Sequence, residues 1–326
     1  MMFHNVEELE ETDNGYILWR VPASLRSHLS EAAANKAACF ATGVEIRFVM
    51  KSDKVTLTLR TEPMEEAQVA YIYFGAFQGG WQQSSVAITG ENTSVTITRP
   101  DRLEQLKEIA ENRRIGFSPE VVRVVLPSGL IRYVGVEGEV EPPDSNLLPQ
   151  KTYLAYGSSI THGSLGLAMP FSYVFRISQI LNCDYINMGF PGTALMEKEM
   201  AEYLCARQDW DFASLEMGVN MLKDGFTPDF FEEQVRAFTK PFADDGRIVF
   251  ATDVFGYNGH YQELAAQYRR ITRQVLGKSS IHYTPGLSLL NNPVFISQDM
   301  THPSAEGQLQ IADHWSEIMQ RYFQGD

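Results

Sequence analysis

Cysteine is scarce in this chain of 326 residues. Cys39, Cys183 and Cys205 are too few and too scattered for a disulfide framework or a zinc site, and all three read as buried structural thiols. The seven histidines show no His-x-x-x-His or similar ligand spacing on a predicted helix, so no metal and no cofactor is expected. Basic charge is also short: Lys plus Arg is 27 against 41 Asp plus Glu, a net charge of −14. Such a surface repels phosphate backbones and anionic lipids, which argues against nucleic acid or membrane as partner. No stretch approaches the roughly 18 uninterrupted apolar residues that a spanning helix needs. The first thirteen residues lack the basic end and apolar run of a secretory leader, so the expected location is the cytoplasm. Neither an internal repeat nor a low-complexity tract is visible.

What is present is ordinary globular composition, with 44% hydrophobic and 21% charged residues. At roughly 100–200 residues per domain, the length suggests two domains. The first 140 or so residues read as strands. Val44, Ile46, Phe48 and Met50 alternate with Glu45, Arg47 and Val49. After the turn Lys51-Ser52-Asp53-Lys54, Val55, Leu57 and Leu59 alternate with Thr56 and Thr58, which predicts a hairpin with one buried face. Further strands are expected at 69–74, 86–89, 95–98, 121–126 and 130–136. Over 101–112, Leu103, Leu106 and Ile109 recur at helical spacing and predict one inserted helix. Many short strands between turns argue an antiparallel β-sandwich over residues 1–147.

The polar, Pro-rich segment Glu141-Pro142-Pro143-Asp144-Ser145-Asn146 ends that pattern. Over 148–326 strands and helices alternate. Strands are expected at 153–156, 185–188, 212–217, 247–252 and 281–284, with helices near 171–181, 197–206, 229–242, 261–276 and 304–322. In the last helix Ile311, Trp315, Ile318 and Tyr322 form one stripe. Five short apolar strands separated by helices predict a doubly wound α/β sheet that binds ligands at the strands' C-terminal ends.

The chemistry-bearing residues lie at those ends. The first strand runs into Tyr156-Gly157-Ser158-Ser159-Ile160-Thr161-His162-Gly163, which is neither a phosphate-binding loop nor a Gly-x-Ser-x-Gly elbow. On its own, a serine here is turn chemistry. After the fifth strand comes Gln298-Asp299-Met300-Thr301-His302-Pro303-Ser304. An Asp three residues before a His can hold one imidazole nitrogen and leave the other free as a base. Both loops fall on the same rim of a doubly wound sheet, so Ser159 and His302 can be neighbours. The second strand leads to Gly189-Phe190-Pro191-Gly192-Thr193 and the third to Gly218-Val219-Asn220. The Gly192 N–H, the Asn220 amide and the Ser159 N–H make a candidate three-donor oxyanion hole.

With these blocks in order, the chain resembles the SGNH, or GDSL-type, hydrolases over about residues 148–326. Gly157-Ser158-Ser159-Ile160-Thr161 matches the nucleophile block, Gly192 the glycine block, Asn220 the asparagine block and Asp299-x-x-His302 the last. The N-terminal part is similar, more loosely, to the jelly-roll-like domain that precedes the catalytic domain in some acylhydrolases and carbohydrate esterases. The family usually has Asp before the nucleophile where this chain has Ser158, which puts local hydrogen bonding at the turn in question. The resemblance implies a serine esterase using Ser159, His302 and Asp299, with Ser159, Gly192 and Asn220 as oxyanion hole. The expected substrate is a short-chain ester, chiefly acetyl, of a carbohydrate or other small polar alcohol. An acyltransferase would use the same residues, and a binding module with a dead site is the non-enzyme alternative. His162 is a substrate contact or simply helix-start polarity. Trp81, Tyr71 and Tyr73 are a sugar platform or else sandwich core or interface, and 8–11 is a solvated face. No exposed apolar amphipathic segment stands out along the catalytic half, which argues against a lipase. Oligomeric state is not legible.

Overall fold

The computed structural model describes residues 1–62 and 67–325, and the chain divides into two units that interleave in sequence. Unit 1 comprises Met1–Pro22, Ala38–Lys151 and Asn182–Asp184; unit 2 comprises Ala23–Ala37, Thr152–Leu181 and Tyr185–Asp326.

Alternation builds unit 1. Its strands, numbered along the chain, are β1 (Met2–His4), β2 (Glu8–Thr12), β3 (Gly15–Trp19), β4 (Glu45–Met50), β5 (Lys54–Thr61), β6 (Gln68–Phe74), β7 (Phe77–Gln78), β8 (Ser85–Ile88), β9 (Thr93–Thr98), β10 (Val121–Val125), β11 (Ile131–Glu137) and β12 (Val140–Glu141). One sheet has the order β1-β4-β10-β6-β7, with β12 on β4 and β8 on β6; the other is β2-β3-β11-β5-β9. In β5, Val55, Leu57 and Leu59 are buried while Thr56 and Thr58 are partly exposed. They meet Ile46, Phe48, Ile72, Val122 and Val124 of the opposite sheet in one core, which makes the unit an antiparallel sandwich.

Two expectations need correction here. First, β4 and β5 do not pair as a hairpin, because they lie in different sheets and their apolar faces meet across the core. Second, the polar face of β4 is not solvated: Glu45 and Arg47 are fully buried. Glu45 accepts bidentate hydrogen bonds from Arg123 at 2.6 and 2.8 Å and one from Arg47 at 2.7 Å. Arg47 in turn donates to both oxygens of Asp184 at 2.6 and 2.7 Å. Burial alone would raise the Glu45 pKa, but the two guanidiniums hold it well below the carboxylate range. The inserted helix is present as α3 (Leu103–Arg113). Short α1 (Ala23–Arg26) and α2 (Glu31–Asn35) belong to unit 2.

Unit 2 is a five-stranded parallel sheet of β13 (Thr152–Gly157), β14 (Asp184–Gly189), β15 (Phe212–Glu216), β16 (Ile248–Thr252) and β17 (His282–Thr284), in the order β14-β13-β15-β16-β17. The first residue of β14, Asp184, groups with unit 1. Its helices are α4 (Ser159–His162), α5 (Tyr173–Ile180), α6 (Lys198–Ala206), α7 (Pro228–Asp245), α8 (Gln262–Leu276), α9 (Gly286–Leu289) and α10 (Ala305–Gln324). α5 packs on α10, while α6, α7 and α8 pack in a row. Of the predicted stripe of α10, Ile311 and Trp315 are fully buried, Ile318 is half-buried and Tyr322 is exposed, the buried face continuing through Met319 instead. The order in which strands are added reverses at β13, with β14 on one side and β15 on the other, so the crevice of this fold opens at its C-terminal end. Among the described residues no helix is long and apolar enough to cross a membrane.

Candidate active site

Strand β13 stops at Gly157 because the next residues are committed to a turn. Ser158 is extended, and its Oγ accepts the Ile160 N–H at 3.1 Å as N-cap of α4. Ser159, the first residue of that helix, is 8% exposed. Its Oγ lies 2.7 Å from His302 Nε2, and His302 Nδ1 lies 2.5 Å from Asp299 Oδ2. An ionised carboxylate can only accept, so Nδ1 carries the proton and Nε2 is left to accept from the Ser159 hydroxyl.

The loop between α9 and α10 is shaped around Asp299. Its Oδ1 accepts the Thr301 and His302 backbone N–H groups, both at 2.9 Å, and the Ser297 hydroxyl at 2.6 Å. Met300 between them is left-handed, with φ 63°. Burial would raise the Asp299 pKa, but the bonds from Ser297 and from the His302 backbone and ring outweigh it and hold the carboxyl well below the usual range.

Backbone bonds gather the remaining blocks. The Phe190 N–H donates to Gly157 O at 2.8 Å, tying the loop after β14 to the end of β13. Phe190 O accepts Asn220 Nδ2 at 3.2 Å, tying the loop after β15 to the same place. One Asn220 amide hydrogen remains for another acceptor. Gly192 has φ +69°, is exposed, and has open space where a Cβ would stand. Such an arrangement can deliver a proton-relieved hydroxyl to an electrophilic carbon and offer N–H groups to a developing negative oxygen. Among the described residues no group of three or more His, Cys, Asp or Glu could hold a metal ion.

Other sequence candidates divide. His162 is buried, with Nδ1 3.1 Å from Ser164 Oγ. Tyr73 is buried in unit 1, Tyr71 is half-buried, and Trp81 is fully exposed, so the trio forms no common core. Residues 8–11 are mostly exposed but form strand β2. Cys39 and Cys183 are buried, whereas Cys205 is only half-buried. Several apolar side chains of unit 2 are exposed singly or in one loop. Leu165, Leu167 and Phe171 follow α4, Leu167 being 85% exposed, and Met300 beside the His302 loop is 54% exposed. Leu165 and Leu167 are left-handed as well, with φ 59° and 67°, a conformation costly for leucine.

Two residues were not singled out from sequence. Gln308 of α10 is fully buried; its Nε2 donates to Ile160 O at 3.0 Å and its Oε1 accepts the Tyr173 N–H at 2.9 Å. Glu216, the last residue of β15, accepts the Ser158 N–H at 2.6 Å. The signal for Glu216 was a lone acidic residue closing an apolar strand.

No protein-family model and no curated protein sequence matches the chain. Solved structures do. A salicylyl-acyltransferase of a tetracycline biosynthetic pathway aligns at TM-score 0.78 and 16% identity, over 98% of this chain and 94% of its own. A protein of the GDSL-like lipase type from Bacteroides ovatus aligns at 0.67 and 16%, over 96% and 94%. A family two carbohydrate esterase from Cellvibrio japonicus aligns at 0.61 and 13%, over 86% and 89%. The fold is that of the SGNH, or GDSL-like, hydrolases with an N-terminal β domain.

Proposed function

We propose that the protein is a serine esterase that removes a short acyl group, acetyl foremost, from a carbohydrate or another small polar alcohol. The observation that supports this reading is the continuous hydrogen-bond chain from Ser159 Oγ through the His302 ring to Asp299. His302 Nε2 takes the Ser159 proton as Oγ attacks the acyl carbon. The Ser159 N–H, the Gly192 N–H and the Asn220 amide receive the oxyanion. Collapse expels the alcohol, which leaves with the proton from Nε2, and a water activated by the same nitrogen releases the acid. Asp299 keeps the imidazole in the required tautomer and stabilises its charged form.

The full-length likeness to an acyltransferase favours one second reading: the acyl-enzyme is resolved by an alcohol other than water. The two differ only in the acceptor. A fluorophosphonate should label wild-type protein and not Ser159→Ala. Product analysis of an acetyl-sugar reaction with and without a second alcohol then separates hydrolysis from transfer: free acetate alone means esterase, acetylated acceptor means transferase. Labelling that persists in Ser159→Ala would overturn both.

A further inference from the structure

The nucleophile turn depends on a carboxyl group that the hydrolytic steps above do not use. Glu216 is fully buried at the end of β15, the strand next to β13, with Leu215 opposite Tyr156 in parallel register. That register sets its side chain beneath the Gly157-Ser158-Ser159 turn. Oε2 accepts the Ser158 N–H at 2.6 Å and the Thr161 hydroxyl at 3.2 Å; Thr161 Oγ1 also lies 2.7 Å from the Tyr173 hydroxyl. Oε1 is buried without a partner among the described residues. Gly157 belongs to the same set. A Cβ there would stand 2.1 Å from Thr161 Oγ1 and 2.6 Å from Glu216 Oε2, so a side chain at 157 could enter only by displacing the carboxyl.

We infer that Glu216 is a positioning residue: it fixes the Gly157–Ser158 peptide, one residue ahead of Ser159, and so sets both the Ser159 hydroxyl and the Ser159 N–H for reaction. The inference rests on the serine-hydrolase reading above. The sequence left open what replaces an acidic residue at position 158. Here the carboxyl comes from the neighbouring strand instead, while Ser158 Oγ accepts the Ile160 N–H as cap of α4. Without Glu216 the Ser158 N–H would lose its acceptor inside the protein, and the turn would relax toward some other partner. A shift well under 1 Å at Ser159 is costly for a reaction that needs near-attack geometry. Burial raises the Glu216 pKa against the opposing hydrogen bonds from Ser158 and Thr161. The Ser158 N–H asks only for an acceptor oxygen at that place, which an amide of the same shape can supply, and that gives the test.

Glu216→Gln keeps an acceptor oxygen, whereas Glu216→Met fills the volume with none. Each is compared with wild type in kcat, KM, rate of fluorophosphonate labelling at Ser159 and melting temperature. We expect Glu216→Met to lower kcat and labelling rate together by about a hundredfold, with KM within about threefold of wild type. Glu216→Gln should recover at least about tenfold of that loss. A folded Glu216→Met with wild-type kcat, or with only a raised KM, would overturn the inference. So would a Glu216→Gln variant that is folded yet no better than Glu216→Met. If Glu216→Met melts below the assay temperature, Glu216→Gln against Thr161→Val decides. The inference then requires Gln to stay within about tenfold of wild-type kcat and Val to lower kcat but not KM. Failure to label wild-type protein would instead sink the hydrolase reading, and the role of Glu216 with it.

Discussion

Asp299 keeps its charge because four hydrogen-bond donors surround it, and this has two consequences at the scale of single residues. A carboxyl with a folded-state pKa below its unfolded value adds stability above the unfolded value, and that stability disappears as pH falls through the folded one. For Asp299 the window therefore opens at the ordinary Asp value, about 3.9, and extends below it. Asp299→Asn should flatten the pH dependence of unfolding there and leave it unchanged near neutrality. The second consequence concerns activity. Asp299 stays ionised throughout the usual assay range, so the acid limb of kcat/KM should follow a single proton, with no second ionisation in the carboxylate range. Asp299→Asn should cost up to about 10⁴-fold in kcat by favouring the wrong imidazole tautomer. Asn220→Ala should lower kcat by roughly 100- to 1000-fold with little change in KM, since its amide is proposed to act on the oxyanion. A loss confined to KM would make Asn220 a binding residue instead.

At the scale of elements, Gln308 ties three helices together: α10 carries it, α5 begins with the N–H it accepts, and α4 supplies the carbonyl it meets. Gln308→Leu would orphan the buried Tyr173 N–H at about 1–3 kcal/mol, while Ile160 O keeps the Gly163 N–H, and a thermal melt should show the loss. Leu57→Ala in β5 should cost about 2–5 kcal/mol by opening a cavity in the sandwich core. That strand was legible because Val55, Leu57 and Leu59 alternate without a break, the blocks around Ser159, Gly192 and Asn220 because each follows a readable strand, and the His302 block because it stands just ahead of a readable helix. The partner of β5 was not legible: alternation says which face is buried, not which sheet the strand joins. Strands β1 and β2 escaped because short, half-exposed edges such as Glu8–Thr12 carry little apolar signal, whereas β3 is an interior strand whose short apolar run Tyr16–Trp19 was passed over. The place of Glu216 under the turn depends on register between two strands nearly 60 residues apart in sequence, which no local pattern encodes.

At the scale of the whole molecule, the acidic surface bears on substrate choice. A lipase docks through a broad apolar face, and a net charge of −14 is poorly suited to an oil or anionic lipid interface. The exposed Leu165, Leu167 and Phe171 come from one loop and do not extend to such a face on their own. Rates on nitrophenyl acetate, butyrate, octanoate and palmitate should fall with chain length; a maximum at octanoate or beyond would reject the short-acyl reading. The interleaving of the units makes a second prediction. A polypeptide of residues 148–326 would lack Ala23–Ala37, whose Leu25, Ala33 and Ala37 are buried in unit 2, and should melt below the full chain. The same feature reaches into synthesis. At roughly 5–20 residues per second, Ala23–Ala37 leaves the ribosome several seconds or more before Thr152 does. Arg47 likewise waits for Asp184, the carboxylate it grips with both guanidinium nitrogens. Neither unit has all its segments until translation has passed the middle of the chain, so a nascent chain paused at residue 147 carries a helix pair with no unit to join and a buried arginine short of one counter-charge.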